Sequence, residues 1–482
     1  MNLILRSPLK PSKNFYYVHI RSKIINIKNM FKSLVRFKSY MVTTPIFYVN
    51  AEPHIGHLYS IIIADVLARY HKLRYPNKQI VFSTGTDEHG LKVQQAAMEL
   101  GVKPKELCDE ISYRFKHLSD VSNSSYTNFI RTTDQNHVIN VQKLWVELWN
   151  KNFIYKGTHE GWYAVSDEAF YPDSSISDYV NEQTGECYKV SIETGKRVEW
   201  MSETNYKFRL SDFRLSLIDW LKHNPKAIHP MKIYNSVLQS LENFESAVND
   251  LSISRPKSRL NWGITVPNDP DHTIYVWIDA LANYLTVAND HNSWPSDIHV
   301  VGKDIIRFHA IYWPALLLAA GLNLPKTILS HAHWTMNGQK MSKSTGNVVD
   351  PFTIMEKFSP DAIRYYLLRV GGNFTNDADF KPLELQQKYK STLQGMLGNL
   401  LSRISGKKIE KKLQQPNLNI SLIVGEKERN LNELLKTLKY KFGYSFDNFE
   451  LSKAIQSVEE VLHEVSKFSL YNRMIFNINF FV

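Results

Sequence analysis

Two short runs of this 482-residue chain carry residues of a type and spacing suited to holding phosphate. The first is Pro53-His54-Ile55-Gly56-His57, between the apolar residues 41–49 and a stretch, 58–73, whose Leu58, Ile61, Ile62, Ala64, Leu67 and Ala68 recur with helical spacing. That order predicts a strand, a short loop and a helix, with His54 and His57 at the helix start. A helix N-terminus presents unpaired N–H groups and the positive end of the dipole. Histidines three residues apart share a face there and can both donate to phosphate oxygens, with Gly56 leaving room for a ligand near the backbone. Taken alone, such a pair is more often structural. The second run, Lys340-Met341-Ser342-Lys343-Ser344, lies between Gly338 and Gly346 and places two cations in a loop able to close over a triphosphate.

In this order and at this distance the two runs resemble the HIGH and KMSKS signatures of the class I aminoacyl-tRNA synthetases. Thr84-Gly85-Thr86-Asp87-Glu88-His89-Gly90, Val276-Trp277-Ile278-Asp279-Ala280 and Gly302-Lys303-Asp304-Ile305 look like the methionyl branch of that family, and the likeness runs from about residue 41 to about residue 466. The resemblance implies an α/β fold: a Rossmann-like catalytic domain split by a connective β-rich insertion and followed by an α-helical anticodon-binding bundle. It implies ATP, with Mg²⁺ carried mainly on the phosphates, and methionine and tRNA(Met) as the other substrates. His54, His57, Lys340 and Lys343 are then the catalytic residues, and with Gly56 they bind ATP. The methionine pocket falls on Ile46, Tyr48, Asp87, Trp277, Leu281, Tyr284, Ile305, Phe308, His309 and Trp313, with Asp87 taking the ammonium as a charge-assisted pair. Leu281 departs from relatives that carry proline there. A thioether side chain favours such a polarizable, aromatic pocket. Asn399 and Arg403, four apart on a helix, match the pair that reads the anticodon; without the match they would be a solvated surface pair.

The chemistry implied is attack of a carboxylate on the α-phosphate of ATP, followed by attack of a tRNA ribose 2′-OH on the adenylate. The protein's part is to position reactants and stabilise charge on phosphate oxygens. Two other readings stay open: another class I synthetase with an apolar substrate, or a catalytically inert tRNA-binding relative. The shortness of the insertion speaks against the first, and the intact His54, His57 and Lys343 against the second.

These residues need several elements to position them. A chain of 482 residues is too long for one core. The expected divisions are a leader at 1–40, the first catalytic half at 41–152 and an insertion at 153–245. They continue with the second catalytic half at 246–335, a KMSKS loop and linker at 336–382 and a helical bundle at 383–482. Strands are expected at 79–83, 273–278 and 298–302, and helices at 91–100, 304–318, 383–405, 431–441 and 451–468. The aromatic stripe Phe308, His309, Tyr312 and Trp313 fits plain core or the wall of an apolar pocket. Trp145, Leu148 and Trp149 are expected in the core, Leu397, Leu400 and Leu401 facing inward, and Leu451, Ile455, Val458, Leu462 and Val465 on one buried stripe. A polar segment is expected at 407–419. No Trp follows Trp334, where relatives carry one to stack an anticodon base, and the last dozen residues do not read as an amphipathic helix.

Cys108 and Cys187 are the only cysteines, and no Cys-x-x-Cys occurs, so the four ligands of a structural zinc are not to hand and no zinc is expected. Two thiols suggest reduced residues and not a disulfide framework. No apolar run reaches the length of a membrane span, and a monomer is expected. The net charge of +11 is concentrated in the leader, which holds nine of the 58 basic residues and no acid before Glu52; the remaining 49 nearly balance 47 acids. A basic, Ser-containing, acid-free leader has the composition of a mitochondrial transit peptide, which points to the mitochondrial matrix; a basic tRNA-binding arm has similar charge. A fusion of residues 1–40 to a reporter is expected to enter mitochondria, and a chain begun at Met41 to stay in the cytosol. Cytosolic retention of the fusion, seen by microscopy, would leave the arm as the reading.

Overall fold

The computed structural model describes residues 39–165, 169–181, 184–243, 248–341, 346–406 and 426–478. Lys343, residues 1–38 of the leader, the polar stretch 407–425 and the last four residues lie outside the described residues.

The chain enters on β1 (Tyr40–Thr43), buried along its length, then turns at Pro45 into β2 (Phe47–Tyr48) and α1 (Ile55–Arg74). β3 (Ile80–Asp87) runs four residues past the expected strand and carries the chain to Asp87 itself. α2 (Leu91–Leu100) is stopped as expected by Gly101, whose φ of +67° suits a residue without Cβ. α3 (Pro104–Val121), β4 (Asn128–Arg131) and α4 (Gln135–Asn150) complete the first half. On α4, Trp145 and Leu148 are core, but Trp149 is 45% exposed and rests edge-on against Tyr206.

The insertion is an antiparallel sheet. β5 (Ile154–Ala164) pairs with β9 (Glu199–Phe208), β6 (Ala169–Tyr171) flanks β5, and β7 (Ile176–Val180) and β8 (Cys187–Ser191) form a hairpin. Both expected boundaries shift. After α5 (Arg214–His223), β10 (Ile228–His229) already lies on the edge of the main sheet, before α6 (Met231–Asn243). Conversely β11 (Leu251–Ser252) still pairs with β9. Backbone pairing partners, which sequence texture does not reveal, decide where the insertion ends.

β12 (Ser254–Pro256), β13 (Thr265–Val266) and β14 (Asp269–Ile274) make a small sheet. The strand expected at 273–278 ends at Ile274, and α7 (Val276–His291) takes Trp277 and Ile278 into its first turn. The β-forming residues there are overridden because α7 packs against α4 and β3. β15 (Ile298–Gly302) follows. The helix expected at 304–318 is broken into a 3₁₀ turn at Lys303–Ile305, a π turn at Phe308–Tyr312 and α8 (Trp313–Ala320). Pro314 has no N–H to donate, and the Trp313 N–H reaches five residues back to Phe308 O. β16 (Thr327–His331) closes the main sheet, whose order is β10-β16-β15-β1-β3-β2 with β4 also on β3, every pair parallel. The ends of β1, β3, β15 and β16 therefore open on one edge, where such sheets bind ligands.

β17 (Trp334–Met336) and β18 (Gln339–Lys340) form a hairpin through Asn337 and Gly338, with φ of +53° and +73°. α9 (Pro351–Phe358), α10 (Pro360–Gly371) and β19 (Ala378–Asp379) make the linker. The long helix expected at 383–405 runs as α11 (Pro382–Lys388), a π stretch at Tyr389–Gly398 and α12 (Asn399–Ile404). The wider π turns rotate the later side chains off the 3.6-residue register, and Leu397 and Leu401 come out exposed at 45% and 59%. α13 (Glu426–Asp447) and α14 (Leu451–Ile478) are longer than expected. Once nucleated, α14 propagates through residues 471–478, which hold no Gly or Pro. Its buried stripe is Leu451, Ala454 and Val461, with Ile455, Val458, Leu462 and Val465 only half-buried beside it.

α1 is the axis of this arrangement. The Tyr59 hydroxyl donates to Gly371 O at 2.5 Å, and Ser60 Oγ meets His331 Nε2 at 2.7 Å. Asp65, fully buried, accepts from the Ser125 N–H and hydroxyl at 2.6 Å, from Arg69 Nε at 2.8 Å and from Arg364 on α10. Removing a buried carboxylate strands its donors, at a cost of about 3 kcal/mol or more. Asp65→Ala is expected to lower the thermal unfolding midpoint clearly, with Asp65→Asn falling between it and the unaltered chain. Equal midpoints in a thermal scan would contradict this account.

Candidate active site

The start of α1 is capped by histidines. His54 is extended, its Nδ1 accepts from the Gly56 N–H at 3.0 Å, and His57 Nδ1 accepts from the His54 N–H at 3.1 Å. This is a reciprocal capping box in which imidazoles do the work usually done by Ser and Glu. Gly56 is required by the cap itself, because a Cβ there would lie 2.8 Å from the His54 ring. The rings stack at 3.8 Å, with Phe47 and Phe115 edge-on to His57 at 5.1 and 5.0 Å. Burial among them, then the neighbouring His54, push the His57 pKa well below its ordinary value. A neutral His57 that accepts at Nδ1 carries its proton on Nε2, where it can donate.

The chain that returns from the second run reaches the first run here. The Ile55 N–H donates to Val349 O at 3.2 Å, joining the first turn of α1 to the chain that returns from the Lys340 loop. Gly338 is no loose hinge: its N–H donates to Asp379 Oδ1 at 2.9 Å within the β17–β18 turn. Lys340, at the end of β18, is exposed. Its charge reaches Asp304, which follows β15 and meets His333 Nε2 at 3.0 Å. Burial alone would raise the Asp304 carboxyl, but the hydrogen bond and charge of His333, with Lys340 beyond, hold it below the usual carboxylate range. Asp304 belongs to the Gly302-Lys303-Asp304-Ile305 run, yet nothing local in the sequence distinguishes it from a surface acid.

A second cluster lies beside this edge. Trp277 stacks on Phe308 at 3.6 Å and 9°. His309, placed by the π turn, donates from Nδ1 to Ile305 O at 2.9 Å and accepts the Tyr284 hydroxyl at Nε2 at 2.8 Å. Burial drives its pKa down to about 4, and burial likewise pushes the Tyr284 phenol up, so both stay neutral. Trp313 and Leu281 back this wall and are fully buried. Tyr48 and the buried Asp87 face each other across the β2–β3 pair. Ile46, between β1 and β2, packs against Met41, Val81, Ile130, Val287 and Ala288. The Tyr48–Asp87 edge and the aromatic wall are joined by the bond between His89 Nδ1 and Asp279 Oδ2, at 2.7 Å. Asn399 and Arg403 lie far along the chain on α12, where the Asn399 amide donates to Gly395 O at 2.9 Å.

Cys187 is exposed on β8. Cys108 is buried on α3 with its thiol donating to Glu88 O at 3.3 Å, and burial pushes that thiol up to about 12. The two lie on different elements, and no group of three His, Cys, Asp or Glu side chains that could hold a metal ion occurs among the described residues. No helix among them is long and apolar enough to cross a membrane.

The family described as tRNA synthetases class I (M) matches residues 40–405. A Schizosaccharomyces pombe protein named "Probable methionine--tRNA ligase, mitochondrial" is 51% identical over 381 residues, covering 77% of this chain and 70% of its own. The mitochondrial methionine–tRNA ligase of Homo sapiens is 44% identical over 445 residues, covering 88% of this chain and 74% of its own. Among solved structures, the Mycobacterium tuberculosis methionyl-tRNA synthetase bound by methionyl-adenylate is similar at a TM-score of 0.82 and 36% identity, over 91% of this chain and 85% of that one.

His309 and His331, both driven to about 4 by burial, set an acid limit. Unfolded, a histidine takes up its proton near pH 6.5, so between about 6.5 and 4 the unfolded chain binds more protons and stability falls with pH. Their contribution is complete above 6.5, and at pH 5 each has lost about 2 kcal/mol. The thermal midpoint is expected to drop steadily from pH 7 to 5; a flat profile would contradict their neutral burial.

Proposed function

The chain belongs to the class I tRNA synthetases (M), and from that premise we propose that it ligates L-methionine to tRNA(Met) through a methionyl-adenylate, with consumption of ATP, in mitochondria. The observation that supports this reading is the hydrogen bond from Ile55 to Val349, which ties the segment returning from the Lys340 loop to the start of α1, beside the sheet edge where Asp87 lies.

In this reading His54 and His57, their Nδ1 atoms committed to the cap, present Nε2 toward the triphosphate at the first turn of α1, where the helix dipole also favours anions. Lys340 and Lys343 neutralise charge that builds on the leaving pyrophosphate. Asp304 accepts hydrogen bonds from the ATP ribose, as a carboxylate following a strand of such sheets does. Asp87 holds the methionine ammonium, and Trp277, Phe308 and His309 enclose its side chain with Tyr48, Ile305, Tyr284, Leu281, Trp313 and Ile46 around them. The substrate carboxylate then attacks the α-phosphate, pyrophosphate leaves, and the tRNA 2′-OH takes the methionyl group with release of AMP. Mg²⁺ supplies charge neutralisation as a passenger on the phosphates. The insertion holds by packing and turns, without zinc. Asn399 and Arg403 read the anticodon from α12. The leader addresses the protein to the matrix, where it acts as a monomer.

ATP–pyrophosphate exchange across a panel of amino acids tests this. Methionine is expected to support exchange, with kcat/KM for leucine, isoleucine and valine lower by about a hundredfold or more, the scale that one well-fitted apolar pocket reaches. Equal turnover of leucine would assign the chain to another class I specificity. Binding of tRNA with no exchange for any amino acid would make it an inert relative.

A further inference from the structure

Asp279 stands on α7 between two pocket residues, two positions after Trp277 and two before Leu281, and is 1% exposed. Its oxygens are divided between two histidines. Oδ2 meets His89 Nδ1 at 2.7 Å, and Oδ1 meets His137 Nε2 at 2.7 Å. His89 comes two residues after Asp87, beyond the end of β3, and packs edge-on against Trp262 at 5.6 Å. Trp262 Nε1 in turn donates to Glu88 O at 2.5 Å. His137, fully buried in the first turn of α4, also reaches back to α7 through Thr286 Oγ1 at 3.0 Å. One carboxylate thus joins the end of β3, the start of α4 and the start of α7. Burial alone would raise its pKa, but the charge of His89 and the hydrogen bonds of His137 and His89 hold it below the usual carboxylate range.

Apolar contacts would join three elements at least as stably, since a buried charge loses several kcal/mol of hydration. What a carboxylate adds is orientation, because two short charge-assisted bonds fix both distance and angle. The span that they fix is the one between Asp87 and the Trp277–Phe308 wall. We propose that Asp279 is a positioning residue for the amino-acid pocket: by holding His89 it sets the distance between the carboxylate that takes the substrate ammonium and the wall that takes its side chain. The inference rests on the methionine site described above. It adds a residue that touches no substrate yet governs how well an unbranched chain of methionine's length fits.

The test is ATP–pyrophosphate exchange with the full chain, reading KM for methionine and for ATP separately, with thermal midpoints alongside. Asp279→Asn keeps the shape but offers one acceptor oxygen in place of two. It is expected to raise KM for methionine about tenfold or more while KM for ATP stays within about threefold, since displacements near 1 Å carry penalties of this order. His89→Ala is expected to match it, and His89→Asn, whose amide can replace the Nδ1 donor, to bring KM for methionine back toward the unaltered value. Both KM values rising together with a fallen midpoint, or KM for methionine unmoved in Asp279→Asn and His89→Ala, would overturn the proposal. Should Asp279→Asn fail to fold, the His89 pair decides, because it leaves the Asp279–His137 bond in place. Absence of methionine-dependent exchange in the unaltered chain would instead overturn the functional reading itself.

Discussion

The first turn of a helix that starts at the open edge of a parallel sheet has N–H groups that must find acceptors without blocking the edge. In this chain His54 and His57 meet that constraint, and much else depends on how they do it. Ser, Asp or Glu would satisfy the same N–H groups but would place oxygen acceptors, or outright negative charge, where the proposed function seats a phosphate. An imidazole that accepts at Nδ1 keeps a donor at Nε2, so in the proposed function the cap of the helix and a neutral donor to phosphate are one side chain. Burial holds His57 in that neutral form. Gly56 is then dictated by the ring packed over it. Ile55 hands its N–H to Val349, so the segment returning from the Lys340 loop is tied to the same turn.

Three carboxylates around this edge, those of Asp65, Glu88 and Asp279, are fully buried, and each of the three is saturated. Asp65 takes four donors from three segments. Glu88 takes Arg131 through two nitrogens, the nearer at 2.5 Å, with Thr86 and Thr133 beside it. Asp279 takes two histidines. None of these is a strong source of net stability, because hydration lost on burial cancels most of what the pairing returns. They lie where β3, α1, α4, α7 and α10 must hold fixed relations across a ligand site. The common gain is geometry.

Features set by neighbours in sequence were legible, and those set by partners far along it were not. The helix start at His54, the helix at 91–100 and its stop at Gly101 are local, and the structure has them as the residues predict. The parallel sheet agrees with the alternation of strands and helices. The residues Tyr275, Val276, Trp277 and Ile278 are good strand formers, and only packing of α7 on α4 and β3 makes three of them helical. Residue 314 announced itself as proline, yet its effect is to open a π turn upstream, not to end a helix. Leu397 and Leu401 obeyed a 3.6-residue period that the π stretch before them does not keep. His89, His137 and Asp279 all stood in plain view, but with 190 and 142 residues between partners no spacing rule could connect them.

The π turn and the buried histidine within it belong to one solution of a chemical problem. A pocket for an unbranched thioether must be apolar and polarizable, yet the proposed function puts His309 in its wall. A charged imidazolium there would favour an anionic or strongly hydrogen-bonding ligand over methionine. The wider turn lets the Nδ1 N–H of His309 donate to Ile305 O, and Tyr284, itself kept protonated by burial, donates to the other nitrogen. With both nitrogens engaged and the pKa near 4, the ring behaves at neutral pH as one more flat, polarizable surface beside Trp277 and Phe308. In the proposed function, selectivity for methionine over leucine then arises from shape and polarizability along a wall without charge, and charge is confined to the far end of the substrate, at Asp87.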